Sequence, residues 1–312
     1  MAVFTLQPIF QERIWGGRNL QTLFGRALPA GQLIGESWEL SDRPEAQTVL
    51  AESGGTLHEW WASADRQRLF GTAAADGERF PILIKLLDAR DKLSLQVHPP
   101  AALAPQFHGE PKTEMWYFLE TSPSAEIYAG LRRGVNREQF TRAIAANTVA
   151  DCFHVLQTAP GEVMFLPSGR VHAIGAGNVI LEVQQNSDTT FRVYDWDRVG
   201  ADGQPRALHV AESLACINFD DCEPAFAQPH ADRLVECPYF VTRRHCFDEP
   251  GQRDDLNVSG RSFRYVFVAR GRFTIGDREY PRGASLFVTA GHGPLPVTSQ
   301  DPLGELVTVA WP

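Results

Sequence analysis

The sequence predicts a mainly β protein: two antiparallel β-barrels with a few short helices, one formed by residues 1–224 and a smaller one by residues 225–312. Three observations point there. Short apolar runs separated by glycine and proline dominate the chain, as in Pro160-Gly161, then Val163-Met164-Phe165-Leu166, then Pro167-Ser168-Gly169 and Val179–Val183. The same order of proline, glycine and apolar run recurs late, in Pro281-Arg282-Gly283 before Ser285-Leu286-Phe287-Val288. Helical periodicity is confined to a few short stretches.

Whole-chain properties bound the function. The 312 residues allow two domains, and 43% hydrophobic with 21% charged residues is a globular composition. No apolar run approaches the roughly 20 residues of a membrane span. The start, MAVFTLQPIFQERIW, lacks the basic flank and apolar core of a signal peptide, so a cytoplasmic protein is expected. Five cysteines without a C-x-x-C pair read as reduced thiols. The net charge of -9 argues against nucleic acid as a partner but leaves an anionic small molecule open, since a few local cations override the average field.

Taken in order, Arg13–Gly17 and Gly35–Ser41 read as barrel edges that carry polar groups inward, with Trp15 and Trp38 as core fillers. Thr56 and Glu59 form a capping box. Leu57, Trp60, Trp61 and Ala64 then keep helical spacing, and Gly71 ends that helix. Pro81–Asp88 is a buried strand by its unbroken apolar run. In Leu93–His98, Leu93, Leu95 and Val97 alternate with Ser94, Gln96 and His98, which puts the three polar side chains on one face. Either face could be the interior. Glu114 opens the apolar strand Met115–Leu119, a poor place for an unpaired carboxylate; a cation or Lys112 would account for it. Asn136 and Gln139 cap a helix through Ile144. A further helix is expected over about 207–217, with Leu208, Ala211 and Ala215 on its apolar stripe. In the C-terminal unit, 263–269 and 271–276 read as strand, turn and strand, and His292 stands without companion histidines.

His172 follows a Pro-x-Gly turn, where a side chain can face a barrel mouth. With Gln96, His98 and Glu114 it makes two imidazoles, a carboxylate and an amide oxygen, a donor set that suits zinc and leaves room for water or substrate.

The segments LSLQVHPP, KTEMWYF, LPSGRVHAIG and EVQQNSDTTFRVYDWDR, in this order, resemble the class I mannose-6-phosphate isomerases, and in particular their short bacterial form. The resemblance covers most of residues 8–215. It implies the cupin fold, with jelly-roll barrels, and one zinc per chain held by Gln96, His98, Glu114 and His172. Arg192 matches the family's catalytic arginine, Lys85 and Ser94 match positions that hold the sugar phosphate, and Lys112 matches an active-site lysine. Glu182 falls among the substrate-binding candidates. Two departures stand out: there is no room for the large helical insertion of longer members, and Thr113 replaces their proline. The general cupin pattern is also bent, with Gln96 in place of its first histidine and the carboxylate displaced to Glu114.

The reaction implied interconverts mannose 6-phosphate and fructose 6-phosphate through an enediol-type intermediate. Glu182, Lys112, a histidine and bound water all stay open as the group that takes the C2 proton, and a hydride shift stays open too. Two other classes compete. One is an iron-dependent cupin oxygenase, against which the basic residues near the ligands argue. The other is a non-catalytic sugar-phosphate-binding cupin, for which Arg192 and Lys112 would be unnecessary. The expected state is a monomer or weak homo-oligomer.

Overall fold

The computed structural model describes residues 2–74, 76–200 and 203–312, and it is mainly β with short helices. Four larger sheets stack as layers, beside a two-stranded one formed by Asp42–Arg43 and Ala46–Gln47. A five-stranded sheet takes its strands from Leu95–Val97, Glu126–Leu131, Phe153–Gln157, His172–Ile174 and Phe191–Tyr194. The first of two six-stranded sheets contains Ile9–Gly17, Ile34–Leu40, Ile82–Ala89, Glu114–Thr121, Val163–Leu166 and Asn178–Gln185. A second six-stranded sheet and a four-stranded sheet come from the C-terminal part, except that Val3–Thr5 pairs with Ser285–Val288.

Alternation along the strands explains the stacking. Ile82, Ile84 and Leu86, Met115, Tyr117 and Leu119, and Leu181 and Val183 share one core with Tyr265, Phe267, Phe287, Val307 and Val309 of the second six-stranded sheet. The opposite parity of the same strands gives Leu87, Trp116, Phe118 and Ile180, which pack with Ile127, Ala129 and Ile174 of the five-stranded sheet. A sheet buried on both faces needs the near-continuous apolar runs read at Pro81–Asp88. A further core joins the second six-stranded sheet to the four-stranded one. Outside the five-stranded sheet, Leu95, Val97 and Phe191 meet Phe140 and Cys216.

Several local expectations hold. The capping boxes at Thr56/Glu59 and Asn136/Gln139 both form, and the second opens the helix Arg137–Ala145. All five cysteines are free thiols. Others are corrected. The helix expected from Thr56 to Phe70 is two, Leu57–Trp61 and Arg66–Phe70. Between them Ser63 Oγ donates to the Trp60 carbonyl at 2.7 Å, a side-chain competitor of the helical ladder. The later helix spans Val210–Cys216, and it buries Ser213 and Cys216, not Leu208, Ala211 and Ala215, which are exposed. Arg264–Arg270 and Phe273–Ile275 are strands, but their turn carries the chain from one sheet to another: the first pairs in the six-stranded sheet and the second in the four-stranded one.

One close approach fixes the edge of the first six-stranded sheet. A Cβ on Gly16 would lie 2.4 Å from the Gly35 backbone nitrogen, and one on Gly35 would lie 2.6 Å from Arg13 Cβ. Only glycine lets these two strands meet here, and that contact brings Arg13, Trp15 and Glu36 to the cavity described next.

Candidate metal centre and its cavity

Strand register gathers the polar residues before any side chain is considered. In the first six-stranded sheet Glu182 pairs with Lys85 on one side and Trp116 on the other, and Gln184 pairs with Glu114. In the facing sheet Gln96 lies between His172 and Arg192. Because Lys85, Glu114, Trp116 and Glu182 share the parity that points at the five-stranded sheet, the two rows face each other across the inter-sheet space.

His98, Glu114 and His172 form the one cluster of metal-ligating type among the described residues, with donor atoms all within 4.8 Å of one another. All three are at most 2% exposed. His98 Nε2 is 3.4 Å and His172 Nε2 is 3.5 Å from the Glu114 carboxylate. Each imidazole is held from behind, His98 Nδ1 at 2.8 Å from the Thr189 carbonyl and His172 Nδ1 at 2.9 Å from the Arg170 carbonyl. A proton on Nδ1 satisfies those contacts and leaves both Nε2 lone pairs aimed at the centre, the outer-sphere pattern of metal-binding histidines. His98 Nε2 and Glu114 Oε2 have no hydrogen-bond partner, although Lys112 Nζ stands 3.0 Å from Glu114 Oε2 as an ion pair. Burial, and behind it the Lys112 charge, pushes His98 down to about 3, and burial also lowers His172. Both rings are therefore neutral, the form that ligates. Burial opposes the charge on Glu114, but the Lys112 ammonium outweighs it and holds the carboxyl well below its usual range. Two neutral imidazoles, one carboxylate and an unsatisfied buried acceptor fit a divalent cation. Gln96 completes the approach: its side-chain amide nitrogen is placed 3.2 Å from His172 Nε2, and turning the amide over brings its oxygen there.

A cavity of about 390 Å³ opens in front of this cluster. Gln96 and Lys112 line it and also touch the cluster, whereas the two histidines and Glu114 lie behind them. Its other walls carry Lys85, Ser94, Glu182 and Arg192, as expected, and also Arg13, Trp15, Glu36, Asp188 and Arg206, which the sequence alone did not place at a site. Trp15 is a core residue that doubles as wall. The alternation from Leu93 is likewise half right: Leu95 and Val97 turn to the outer core, while Leu93 lines the cavity beside Ser94.

The charges are mutually arranged. Lys85 Nζ is 3.7 Å from Glu182, 3.8 Å from Glu36 and 3.9 Å from Asp188, and it sits over the Trp38 ring. Trp116 Nε1 donates to Glu182 at 3.0 Å. Burial, and then the Glu114 charge, push the Glu182 carboxyl up from its ordinary value. Arg192 donates from Nη1 to the Ala207 carbonyl at 2.9 Å and from Nε to Ser94 Oγ at 3.3 Å. Burial and then the neighbouring Arg206 charge lower its pKa, which leaves a guanidinium still protonated. Arg206 is itself clamped by two contacts to Asp195, at 2.6 and 2.7 Å. Thr113, the departure from the family's proline, anchors its loop by donating its backbone N–H to Gln185 and accepting from the Ser168 N–H.

Glu36 tests the electrostatics of this wall. Burial opposes its charge, but Lys85 and Arg13, with the Trp38 indole, outweigh it and lower the carboxyl to about 2. A carboxyl depressed in the folded state adds stability above its unfolded pKa and loses it as pH falls through the folded one. Glu36→Gln should thus be less stable at pH 7, by about 3 kcal/mol at most. The gap should narrow as pH falls from about 4.5 towards 2. Urea unfolding of both proteins from pH 7 downwards measures it, and a pH-independent gap would remove the electrostatic account.

Neutral imidazoles around a carboxylate, behind a cavity walled by guanidinium and ammonium groups, have the chemistry of a metal-dependent enzyme acting on an anionic substrate. Residues 3–127 match the sequence model of the phosphomannose isomerase type I catalytic domain. A mannose-6-phosphate isomerase of Bacillus subtilis, ManA, is 38% identical over 306 residues, 92% of this chain and 93% of that protein. One from Streptococcus mutans is 36% identical, over 88% of each. The crystal structure of the Bacillus subtilis enzyme superposes with a TM-score of 0.87 at 28% identity, covering 99% of both chains. A zinc-bound mannose 6-phosphate isomerase structure shares the fold at 19% identity, with a TM-score of 0.80. The chain belongs to the mannose-6-phosphate isomerase family.

Proposed function

We propose that the protein interconverts mannose 6-phosphate and fructose 6-phosphate, with one zinc ion held by His98, Glu114 and His172 and approached by Gln96. The observation that carries this reading is the buried convergence of His98, Glu114 and His172, with both imidazoles fixed from behind and His98 Nε2 left without a hydrogen-bond partner. When bound, zinc supplies Lewis-acid polarisation of a substrate oxygen. The remaining work falls to the chain. Arg192, steadied by Ala207 and Ser94, stabilises the negative charge that builds on the sugar oxygen in an enediol-type transition state. Lys112 holds Glu114 and faces the cavity, and Glu182 lines the wall where a proton must move between C2 and C1. Lys85 and Ser94 anchor the phosphate, which turns remote binding into orientation of the reacting carbons. Family membership at 36–38% identity favours this reading over an iron oxygenase or a non-catalytic binder.

Residues 1–224 carry this chemistry in the proposal, and 225–312 form a metal-free supporting barrel. The free thiols suit a cytoplasmic setting, and no helix among the described residues is long and apolar enough to cross a membrane. The state proposed is a monomer or weak homo-oligomer.

A coupled assay for fructose 6-phosphate formation by zinc-loaded protein tests the activity, and no product above a metal-free control would end the proposal. Lys85→Ala sharpens it. A charge-assisted phosphate contact is worth about 1.5–3 kcal/mol, so KM for mannose 6-phosphate should rise roughly ten- to a hundredfold. Any turnover of free mannose should change much less. Equal losses on both sugars would mean that Lys85 acts through the carboxylates around it.

A further inference from the structure

A second cleft, of about 460 Å³, opens where the two six-stranded sheets meet, away from the cavity already described. The turn Pro160-Gly161 and the end of the strand Glu114–Thr121 form one wall, and Arg244, Arg270, Arg282 and Glu305 form the other. Its two carboxylates are engaged. Glu120 accepts from Arg282 at 2.6 Å, and Glu305 accepts from the Tyr117 hydroxyl at 2.6 Å. Arg244 turns towards that same hydroxyl. Among the described residues, neither Arg244 nor Arg270 has a carboxylate within ion-pair distance, in a chain whose net charge is -9. The wall opposite keeps its space open as well. Gly161 has φ of +89°, and a Cβ there would come within 3.4 Å of Arg244 Nη1.

From this geometry we infer that the cleft is a second anion-binding site, built for a compact phosphoryl dianion. Glu305 lies across the strand from Arg270 and its charge reaches Arg244, but neither guanidinium is taken up in a close ion pair among the described residues, so both keep planar, paired donors that match tetrahedral oxyanions. The third guanidinium, tied to Glu120, sets the rim and limits the charge the site accepts. The cleft volume is in the range of small-ligand sites, so a phosphorylated metabolite fits as well as the free ion. This site does not depend on the proposed isomerase chemistry, since it shares no lining residue with that cavity.

Two experiments test it. Crystals of the zinc-loaded protein are soaked in tungstate, a tetrahedral dianion located by its anomalous signal. Density between Arg244 and Arg270 is expected, and it should vanish in Arg244→Gln/Arg270→Gln. Density confined to the catalytic cavity would overturn the inference. In solution, inorganic phosphate is titrated while the arginine Nε–H resonances are followed by NMR. The Arg244 and Arg270 signals should shift saturably, and Arg270→Gln should weaken that binding roughly tenfold while leaving KM for mannose 6-phosphate unchanged. Unmoved signals, or an affinity indifferent to Arg270→Gln, would equally overturn it.

Discussion

His172→Ala is expected to purify with far less than one zinc per chain and to lose isomerase activity by on the order of a hundredfold or more. Partners that merely orient a ligand cost ten- to a hundredfold in metal affinity or activity when removed, and a direct ligand should exceed that. His172 sits on the short strand His172–Ile174, paired to Gln96 on one side and Ala129 on the other. Removing its ring gives up the contact to the Arg170 carbonyl but leaves the strand pairing intact, so the β circular-dichroism signal should persist. The loss should therefore be local. Chelation of the wild type should reproduce it and added zinc should reverse it, whereas zinc should not rescue the variant. Metal analysis by mass spectrometry on the same preparation decides the matter: a fully loaded His172→Ala protein would sink the ligand assignment.

Arg192→Ala should separate chemistry from metal binding. Arg192 pairs across the strand with Gln96 but has no contact with His98, Glu114 or His172 among its hydrogen bonds, so zinc content should be normal. If its guanidinium meets charge that develops only in the transition state, kcat falls and KM stays near its normal value. Loss of one preorganised donor of this kind typically costs on the order of a hundred- to a thousandfold. Arg192→Lys should recover only part of the rate, since an ammonium restores charge without the planar fork. A near-normal kcat with a raised KM would make Arg192 a phosphate contact, and loss of zinc would make it a support of the metal centre.

What could be read from the sequence follows the range of the interactions involved. His98, Glu114 and His172 were legible because each sits at a local signal: a strand of period two, a charge at the mouth of an apolar run, a histidine after a Pro-x-Gly turn. The two capping boxes were legible for the same reason, since all their atoms lie within four residues. Glu36 and Arg13 read as pointing inward from barrel edges but not as joining a site, and Arg206 is not marked at all. Their place in the cavity depends on which strands become neighbours, as when Trp38 pairs with Lys85 and so brings Glu36 beside it. Glu36 is marked in the sequence by an acidic residue inside a strand-like run, a pattern that any strand with one face in water shows equally. Arg206 lies before a helix with no periodicity to mark it, and its orientation comes from Asp195, eleven residues back. The apolar stripe assigned to Leu208, Ala211 and Ala215 failed because spacing alone does not tell which side of a short helix meets the sheet. Ser213 and Cys216 face it instead.

The apolar core between the two six-stranded sheets bears on how the molecule comes apart. Met115, Tyr117 and Leu119 lean on it from the very strand whose opposite parity presents Glu114 and Trp116 to the metal centre. A chain cut at residue 224 would leave that whole sheet face in water, a patch far larger than a monomer tolerates. The two halves are thus folding partners, not detachable modules, and should melt in a single cooperative transition. Hydrogen exchange in Glu114–Thr121 should accordingly be limited by global opening and be as slow as in Arg264–Arg270, the two strands reporting the same free energy of unfolding.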